Sequence, residues 1–537
     1  MTAQRHEDLR VGIDVGGTNT DAVLMRGRSV VAALKQPTTA SVGDGLAMAV
    51  RTLIAKSDVD PATIRAVMVG TTQFINAFLE RRNLAKVATI RLSLPKTDGV
   101  PPMLAWSDDL RAAIGEHVYL AHGGAFFTGE TYREIDRIEL SEIAAEIRDK
   151  QIGSVAISAN FAPIRPDIEQ RAREMIREML DEDVLITLSS DVGGIGLVER
   201  ENAAIINACL RPFARTVIND MERAFRELGL NAPVYISQND GTLISTSMAA
   251  DFPIFTCSAG PTNSIRGAAF LTNIRDGLVV DVGGTTTDIG ALVRGFPRET
   301  SGQNEIGGIR TNFRMPDSLS IAVGGGSLVR RVGGVTKIGP ESVGYRISEE
   351  ALVFGGSTLT ATDIAVSARL LTGIGDPLRV AHLDDDVKHD TLKAITAAIE
   401  QAIDQMRTSA QPVPVVLVGG GSVLLPDSLD GASEVLRPEH FDVANAIGAA
   451  IAQVSGRVDR LFDMAARGRD VVLEEAHQLA IDDAVSAGAD PATVEVVEVT
   501  ELPMTHMRAG ATRVRVRAVG QLSVCHGTSD NQADFRN

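Results

Sequence analysis

The sequence has few cysteines and no long apolar run. Its three cysteines, Cys209, Cys257 and Cys525, stand far apart and form no CxxC pair. This spacing argues against a disulfide framework or a zinc ribbon and is typical of a reducing compartment. No apolar stretch approaches the roughly 20 residues that a membrane-spanning helix needs, and segment 1–10 lacks the apolar core of a secretion signal. We therefore expect a cytoplasmic protein.

Basic residues are also fewer than acidic residues. The 537 residues include 52 Lys and Arg against 69 Asp and Glu, which gives a net charge of −17. This balance argues against a general nucleic-acid or anionic-membrane surface, so neither partner is expected. A local loop with a metal ion can still bind a nucleotide. The length is too great for one hydrophobic core and predicts several domains.

One eight-residue phrase occurs twice. Residues 14–21 read DVGGTNTD and residues 281–288 read DVGGTTTD, so the copies differ only at Asn19 and Thr286. Each copy lies between two short apolar runs, a pattern that predicts a β-hairpin with a tight glycine turn. A single copy would be interpreted as an ordinary turn. Two near-identical copies in two long segments predict a duplicated functional loop.

The residue types in this loop suit phosphate and a metal ion. Adjacent glycines expose backbone N–H groups that can converge on an anion, and threonine hydroxyls add donors. Carboxylates at the start of each copy suit Mg²⁺, and the predicted metal ligands are Asp14 and Asp281. The predicted phosphate-binding residues are Gly16, Gly17, Thr18, Thr20, Gly283, Gly284, Thr285 and Thr287.

A second carboxylate closes each hairpin. Asp21 and Asp288 can be structural, through side-chain bonds across the turn. Only one carboxylate of the second copy is needed to orient a nucleophile, so a chemical role and a structural role of Asp288 both stay open. The candidate catalytic residues are Asp14, Asp281 and Asp288.

Further loops follow predicted strands. The strand at 66–69 runs into GTT at 70–72, which is either a ligand-facing loop of an α/β fold or an ordinary helix N-cap. The strand at 414–417 runs into a GGGS loop, and an alanine- and glycine-rich helix follows at 443–451.

Three other segments carry narrower expectations. Arg211-Pro212 is expected to interrupt a helix that begins at Leu197. Residues 256–265 are expected to form a glycine–proline loop that opens a short helix at Gly267. His117 and His122 lack a third ligand at metal-binding spacing, so their region is expected to be a solvated loop or a substrate-side contact.

The order of these elements resembles the actin/Hsp70/sugar-kinase superfamily of ATPases. The resemblance implies an α/β fold in which two actin-like (ribonuclease H-like) halves close on ATP and Mg²⁺, with the two hairpins flanking the phosphates. It also implies that the GGGS loop contacts the nucleoside and that two small-residue helices cross at the hinge. Residues 443–451 fit the second of these helices, and 197–210 fit the first more loosely. The implied nucleoside contacts are Gly419, Gly420, Gly421 and Ser422.

This comparison sets the expected domain boundaries. They are 1–200, an N-terminal half with an inserted segment at about 80–150; 201–275, connecting helices and a substrate-side segment; 276–455, the C-terminal half; 456–522, a small α+β appendage; and 523–537, a disordered tail.

Within that superfamily the chain is similar to the hydantoinase A/oxoprolinase family. The motifs that carry the similarity are VGIDVGGTNTD (11–21), GTTQFINAFLER (70–81), ENAAIINACL (201–210), GPTNS (260–264), VVDVGGTTTDIG (279–290), IAVGGGS (321–327) and GDPLRVAHLD (375–384). The resemblance implies ATP-dependent opening of a cyclic amide such as a hydantoin or 5-oxoproline, by carbonyl phosphorylation and then hydrolysis. It also implies a companion hydantoinase-type subunit.

Alternatives stay open at this level. Related family members serve as carboxylase subunits, and clefts of this superfamily also phosphorylate sugars, so an ATP-binding regulatory or carboxylase subunit and a carbohydrate-type kinase are the competing interpretations. The sequence names neither the ring nor the oligomeric state, and a homo-oligomer is left open.

Overall fold

The protein is described by a computed structural model that covers residues 9–39, 42–97, 99–300, 304–504 and 511–523. The chain divides into two compact units, with the boundary between Ala452 and Gln453. The predicted finer boundaries inside the first unit stay predictions. Apart from Ser523, the predicted disordered tail at 523–537 lies outside the described residues.

The strands are, in chain order, β1 (Leu9–Val15), β2 (Asn19–Arg26), β3 (Ser29–Pro37), β4 (Ile64–Thr71), β5 (Val87–Leu94), β6 (His117–His122), β7 (Gly124–Ala125), β8 (Thr131–Arg133), β9 (Ser154–Ala159), β10 (Leu185–Leu188), β11 (Val234–Ser237), β12 (Leu243–Ser245), β13 (Gly277–Val282), β14 (Thr287–Val293), β15 (Phe296–Pro297), β16 (Asn304–Ile306), β17 (Ile309–Thr311), β18 (Ser318–Ile321), β19 (Ser327–Val332), β20 (Val335–Ser342), β21 (Val413–Val418), β22 (Ala432–Leu436), β23 (Val454–Asp463), β24 (Glu495–Pro503) and β25 (Ala511–Gly520).

The α-helices are, in chain order, α1 (Val42–Ser57), α2 (Gln73–Leu79), α3 (Asp108–Ile114), α4 (Arg137–Asp149), α5 (Pro166–Arg177), α6 (Ser189–Val192), α7 (Leu197–Glu227), α8 (Thr246–Asp251), α9 (Ala259–Thr272), α10 (Ile347–Glu350), α11 (Ala361–Ser367), α12 (Asp385–Met406), α13 (Ala444–Ala450), α14 (Met464–Arg467) and α15 (Arg469–Ser486). No helix in the described ranges combines the length and the apolar character that crossing a bilayer requires.

Two sheets of the first unit share one arrangement of strands. In one, the order is β12-β11-β4-β1-β2-β3, with β1 antiparallel to β2 and parallel to β4. In the other, the order is β15-β14-β13-β21-β22, with β13 antiparallel to β14 and parallel to β21. Both predicted hairpins are therefore confirmed. The repeated sequence forms a repeated structural unit, a hairpin beside a parallel strand.

Each of these sheets covers its own apolar core. Val11, Ile13 and Val69 are buried beneath the first, and Val280 and Leu417 beneath the other. The parallel strands are apolar along most of their length because both of their faces are covered. The two cores hold the two hairpins in place.

A third sheet has the order β10-β9-β5-β6, and all of its strands run parallel. Its core includes residues of α4 and α5, such as Leu140 and Ile168. Because the strands are parallel, the loops that follow them lie at one edge of the sheet.

Helices α9 and α13 cross at very short distance. A Cβ atom at Gly267 would lie 1.8 Å from the carbonyl oxygen of Ala444, and one at Gly448 would lie 1.9 Å from that of Asn263. Only glycine permits this approach at either position. The predicted helix at 443–451 is confirmed as a crossing helix. The assignment of 197–210 as its partner is wrong, because α9 occupies that place.

Two predicted helix boundaries are also wrong. Pro212 does not interrupt α7, which is continuous from Leu197 to Glu227. Ala208 and Ala214 are fully buried on either side of it, and this packing outweighs the cost of about 3 kcal/mol for an interior proline. Helix α9 begins at Ala259 and not at Gly267, because Pro261 lies in the first turn, where backbone N–H groups have no helical partner.

The second unit is a small α+β structure. Strands β24, β25 and β23 form an antiparallel run in that order, and α15 packs on them. The sequence predicts a helix at 471–487 and strands at 494–499 and 512–519 in this appendage, and all three are confirmed. Strand β23 was not predicted, and it pairs with β25 along its whole length.

The helix crossing gives the first prediction. Substituting Gly448→Ala should lower the free energy of unfolding by about 2 kcal/mol, because the added methyl group meets backbone atoms that cannot move aside. The measurement is the midpoint of urea-induced unfolding, followed by circular dichroism. Gly153→Ala is the matched control, since no atom lies within 4 Å of its added methyl group. Equal midpoints for the two variants would contradict the proposed constraint.

Candidate active site

The turns of the two hairpins touch each other. We name residues 16–19 the first turn and residues 283–286 the second turn. The Oγ1 atoms of Thr18 and Thr285 are 3.3 Å apart, although the residues are 267 positions apart in sequence. A Cβ atom at Gly284 would lie 2.8 Å from Thr18 Oγ1. Glycine at 284 is therefore required for the two turns to meet.

The backbone of the two turns is the same. Gly16 N donates to Asn19 O at 3.0 Å, and Gly283 N donates to Thr286 O at 2.9 Å. Within the described ranges, the amides of Gly17, Thr18, Gly284 and Thr285 donate to no other group. Four backbone donors are therefore available to an anion, as the predicted phosphate role requires.

Two of the predicted phosphate-binding threonines already have partners. Thr20 is almost fully buried, and its hydroxyl lies 3.2 Å from that of Thr38. The Thr287 hydroxyl donates to the carbonyl of Val323 at 2.7 Å. Both side chains hold a neighbouring segment against its hairpin. Their role as phosphate donors stays a prediction.

The IAVGGGS segment supports the second turn from behind. Gly325 N donates to Gly283 O at 3.0 Å, and Gly326 N donates to Gly284 O at 2.6 Å. A Cβ atom at Gly324 would lie 2.8 Å from the backbone of Thr285. These contacts explain why the motif consists of glycines: its backbone packs directly on the backbone of the second turn.

Asp14 is held by asparagines from both crossing helices. Asn263 Nδ2 of α9 donates to Asp14 Oδ1 at 3.2 Å, and Asn445 Nδ2 of α13 donates to Asp14 Oδ2 at 3.1 Å. Burial raises the pKa of Asp14 to about 6; the Asn263 bond lowers it, and the charges of Asp21 and Asp281 raise it further. No local sequence pattern indicated either asparagine.

The corresponding carboxylate of the second hairpin has an equivalent partner. Ser264 Oγ, the next residue along α9, donates to Asp281 Oδ2. Burial raises the pKa of Asp281, and the Ser264 bond opposes this shift. Helix α9 therefore bonds to both predicted metal ligands through two consecutive side chains.

Asp288 stands directly across the hairpin from Asp281. Burial raises the pKa of Asp288 to about 6, the charge of Asp281 raises it further, and a hydrogen bond from Ser320 lowers it. A carboxyl group with such a pKa can exchange a proton near neutral pH, as a general base must. Its catalytic role stays a prediction.

Lys35 brings a positive charge to this group of carboxylates. Lys35 Nζ lies 2.5 Å from Asp21 Oδ1, its neighbour across β2 and β3. Burial raises the pKa of Asp21, and Lys35 lowers it. Lys35 also lowers the pKa of Asp14 and of Asp281. Lys35 was not predicted as a site residue, since a lone lysine on a strand is typical of a surface position.

The GGGS loop packs on the second hairpin. Gly419 has a φ of +81°, and a Cβ atom there would lie 2.2 Å from Asp281 Oδ1. Residues Gly420–Leu424 form a 3₁₀ helix, and Ser422 is fully buried. The loop therefore lies beside the predicted metal ligand. The contact of Gly419, Gly420, Gly421 and Ser422 with a nucleoside stays a prediction.

The residues present fit a magnesium ion shared with a nucleotide. The described ranges contain no group of three or more His, Cys, Asp or Glu side chains placed to hold a metal. Mg²⁺ is commonly bound by one or two carboxylates, with water and phosphate oxygens completing its shell. Asp14 and Asp281 would supply the two carboxylates, and each retains lone pairs beyond those bonded to Asn263, Asn445 and Ser264.

The duplicated hairpins, each beside a parallel strand, and the helices that cross between them define the class as an actin-like ATPase fold. The crystal structure of the ATP-dependent caprolactamase from Pseudomonas jessenii shares this fold. It superposes with a TM-score of 0.75 and 18% sequence identity, over 96% of this chain and 88% of that chain.

The chain belongs to the hydantoinase/oxoprolinase family. Residues 10–180 match the Hydantoinase/oxoprolinase N-terminal region, and residues 200–374 match Hydantoinase/oxoprolinase. It is 25% identical over 389 residues to the caprolactamase subunit alpha of Pseudomonas jessenii, covering 66% of this chain and 54% of the relative. It is also 25% identical over 406 residues to the acetophenone carboxylase gamma subunit of Aromatoleum aromaticum, covering 66% and 52%. The chain thus spans little more than half of either relative.

The raised pKa of Asp14 gives a prediction about stability. The folded carboxyl has a pKa of about 6 against 3.8 for an ordinary aspartate, so its ionisation opposes folding. This destabilisation is absent below pH 3.8 and complete above pH 6. The free energy of unfolding of the Asp14→Asn variant, relative to that of the unsubstituted protein, should therefore increase with pH, by about 1 kcal/mol between pH 5 and pH 7.5.

The measurement is urea-induced unfolding of both proteins at the two pH values. Asp470→Asn is the control, because the Asp470 side chain is 99% exposed. A stability difference for Asp14→Asn that does not change with pH would show that ionised Asp14 is not destabilising.

Proposed function

We propose that this chain is the ATP-binding subunit of an enzyme that opens a cyclic amide, such as a hydantoin, 5-oxoproline or a lactam. The observation that carries the proposal is the contact between two equivalent turns with free amides, each preceded by a carboxylate that is bonded to the same helix. Such a site suits a polyphosphate with its metal ion.

The proposed reaction follows from the chemistry of the amide. An amide carbonyl is a weak electrophile because the nitrogen lone pair is delocalised into it. The carbonyl oxygen attacks the γ-phosphorus of ATP and ADP leaves. Water then adds to the activated carbon, and the carbon–nitrogen bond of the resulting tetrahedral intermediate breaks as the nitrogen takes up a proton, which leaves an acyl phosphate. A second water molecule hydrolyses this acyl phosphate to the carboxylate and inorganic phosphate. The products are a ring-opened amino or ureido carboxylate, ADP and phosphate.

The residues of this chain would position the reacting groups and neutralise the charge of the phosphates. Amides of both turns would bind phosphate oxygens, and Asp14 and Asp281 would hold Mg²⁺. When bound, Mg²⁺ neutralises charge on the transferring phosphoryl group. Asn263, Asn445 and Ser264 would fix the orientation of the two carboxylates, and Asp288 would orient the attacking water.

A specific comparison keeps a second function open. One relative is a subunit of acetophenone carboxylase. In that alternative the same site would activate a different oxygen by phosphorylation, and carbon–carbon bond formation would follow. Both relatives are named as subunits, so we propose that this chain also acts with a companion subunit.

The test is an ATP turnover assay with a panel of hydantoins, 5-oxoproline and lactams, with and without the companion subunit, with products identified by mass spectrometry. The expected result is an opened ring formed together with ADP. A carboxylated product would favour the second function. Absence of ADP formation with every compound and partner would contradict the proposal.

Substituting Asp281→Asn should lower this turnover by at least ~100-fold, because a charge-stabilising group of the transition state is lost. Asp276→Asn is the matched control: it lies at the far end of the same hairpin, where Asp276 accepts from the amide of Arg294, and should keep full turnover. Similar rates for both variants would refute the role of Asp281.

A further inference from the structure

The third sheet has the topology of a ligand-binding sheet. The chain goes from β5 to β6 on one side and then crosses to β9 and β10 on the other side of β5. The direction of winding therefore reverses between β5 and β9. In open parallel sheets, ligands bind outside the carboxyl ends of the strands at such a reversal.

Side chains from two loops and from β8 meet at this reversal. Thr97, after β5, and Asn160, after β9, have their Oγ1 and Oδ1 atoms 3.5 Å apart. Asn160 Nδ2 donates to the Tyr132 hydroxyl at 2.9 Å, and that hydroxyl donates to Ser93 O at 3.0 Å. Tyr132 lies on β8, so the small β7–β8 hairpin is fixed over the carboxyl edge of the sheet.

A cleft of about 600 Å³ opens beside this network. We name it the edge cleft; the residues of its wall used below are Lys96, His122, Phe126, Tyr132 and Arg133. The β7–β8 hairpin covers this cleft, and Arg165 holds the turn of the hairpin. Arg165 donates to Gly129 O at 2.9 Å and pairs with Asp167. The volume is in the range of sites that bind small organic molecules.

The edge cleft is cationic in a chain of net charge −17. No Asp or Glu is among the described residues that line it. Lys96 and Arg133 have no carboxylate within ion-pair distance in the described ranges, whereas Arg165 is neutralised by Asp167. His122 Nδ1 lies 3.2 Å from Glu139. Two cations that pair with no carboxylate of the described residues, placed at a ligand-binding edge, favour an anion.

Aromatic rings form the remaining wall. The rings of Phe126 and Tyr132 are 5.2 Å apart at 60°, and Lys96 Nζ lies 5.7 Å from the Phe126 ring centre. Phe126 is 39% exposed. An exposed ring next to Lys96 suits a ligand with a carboxylate at one end and a flat or apolar body.

We propose that the edge cleft binds a small carboxylate with a flat, apolar body, of about the size of benzoate. Lys96 and Arg133 bind the carboxylate, and Phe126 packs against the body. This site is separate from the two turns, and the proposal holds whether or not the chain opens cyclic amides.

The test is isothermal titration calorimetry of the full chain with benzoate and with its neutral analogue, benzamide. Benzoate should bind saturably and at least tenfold more tightly than benzamide. Lys96→Gln and Arg133→Gln should each weaken benzoate binding at least tenfold. Lys150→Gln is the matched control, because Lys150 also lies 5.6 Å from a ring centre, that of Tyr119, but pairs with Glu146 outside the edge cleft.

Three results would overturn the proposal. One is the absence of saturable benzoate binding, and another is equal affinity for benzoate and benzamide. The third is competition between benzoate and ATP together with unchanged affinity in the Lys96 and Arg133 variants, which would place benzoate at the two turns. Circular dichroism of each variant checks that a loss of binding is not a loss of fold.

Discussion

The contact between α9 and α13 is the constraint on which the candidate site depends. Gly267 and Gly448 allow the two backbones to meet, and the side chains next to the crossing then reach both hairpins. Asn263 bonds to Asp14 of the first hairpin, and Ser264 bonds to Asp281 of the second. One helix thus sets the positions of two carboxylates that belong to different sheets. A bulkier residue at either glycine would separate them.

The electrostatics of the site point to a cation. Asp14, Asp21, Asp281 and Asp288 all have raised pKa values, and burial is the largest cause in each case. Lys35 opposes the shift at three of them and cannot balance their full charge. A divalent ion would remove the mutual repulsion and favour the ionised forms. The arrangement costs stability in the absence of such an ion, as expected of a binding site and not of a structural core.

The sequence predicted the hairpins and the α/β class because their signals are local: two adjacent glycines between apolar runs, written twice. It did not predict the partners of the carboxylates. Asn263 and Asn445 lie 249 and 431 positions from Asp14, and no local pattern encodes such a contact. The helix boundaries near Pro261 and Pro212 were predicted wrongly. A proline in the sequence indicates a helix break, but the free energy that it costs a helix depends on its position in the helix and on the packing around it.

The central claim is that the two turns and their carboxylates form one metal-dependent nucleotide site. Its most direct test is the dissociation constant of ATP with Mg²⁺ and with EDTA, measured by calorimetry for the unsubstituted chain and for the Asp14→Asn/Asp281→Asn double variant. We predict that Mg²⁺ tightens binding to the unsubstituted chain at least tenfold and has no such effect on the variant. Equal dissociation constants with and without Mg²⁺, or the same Mg²⁺ effect in both proteins, would contradict the account.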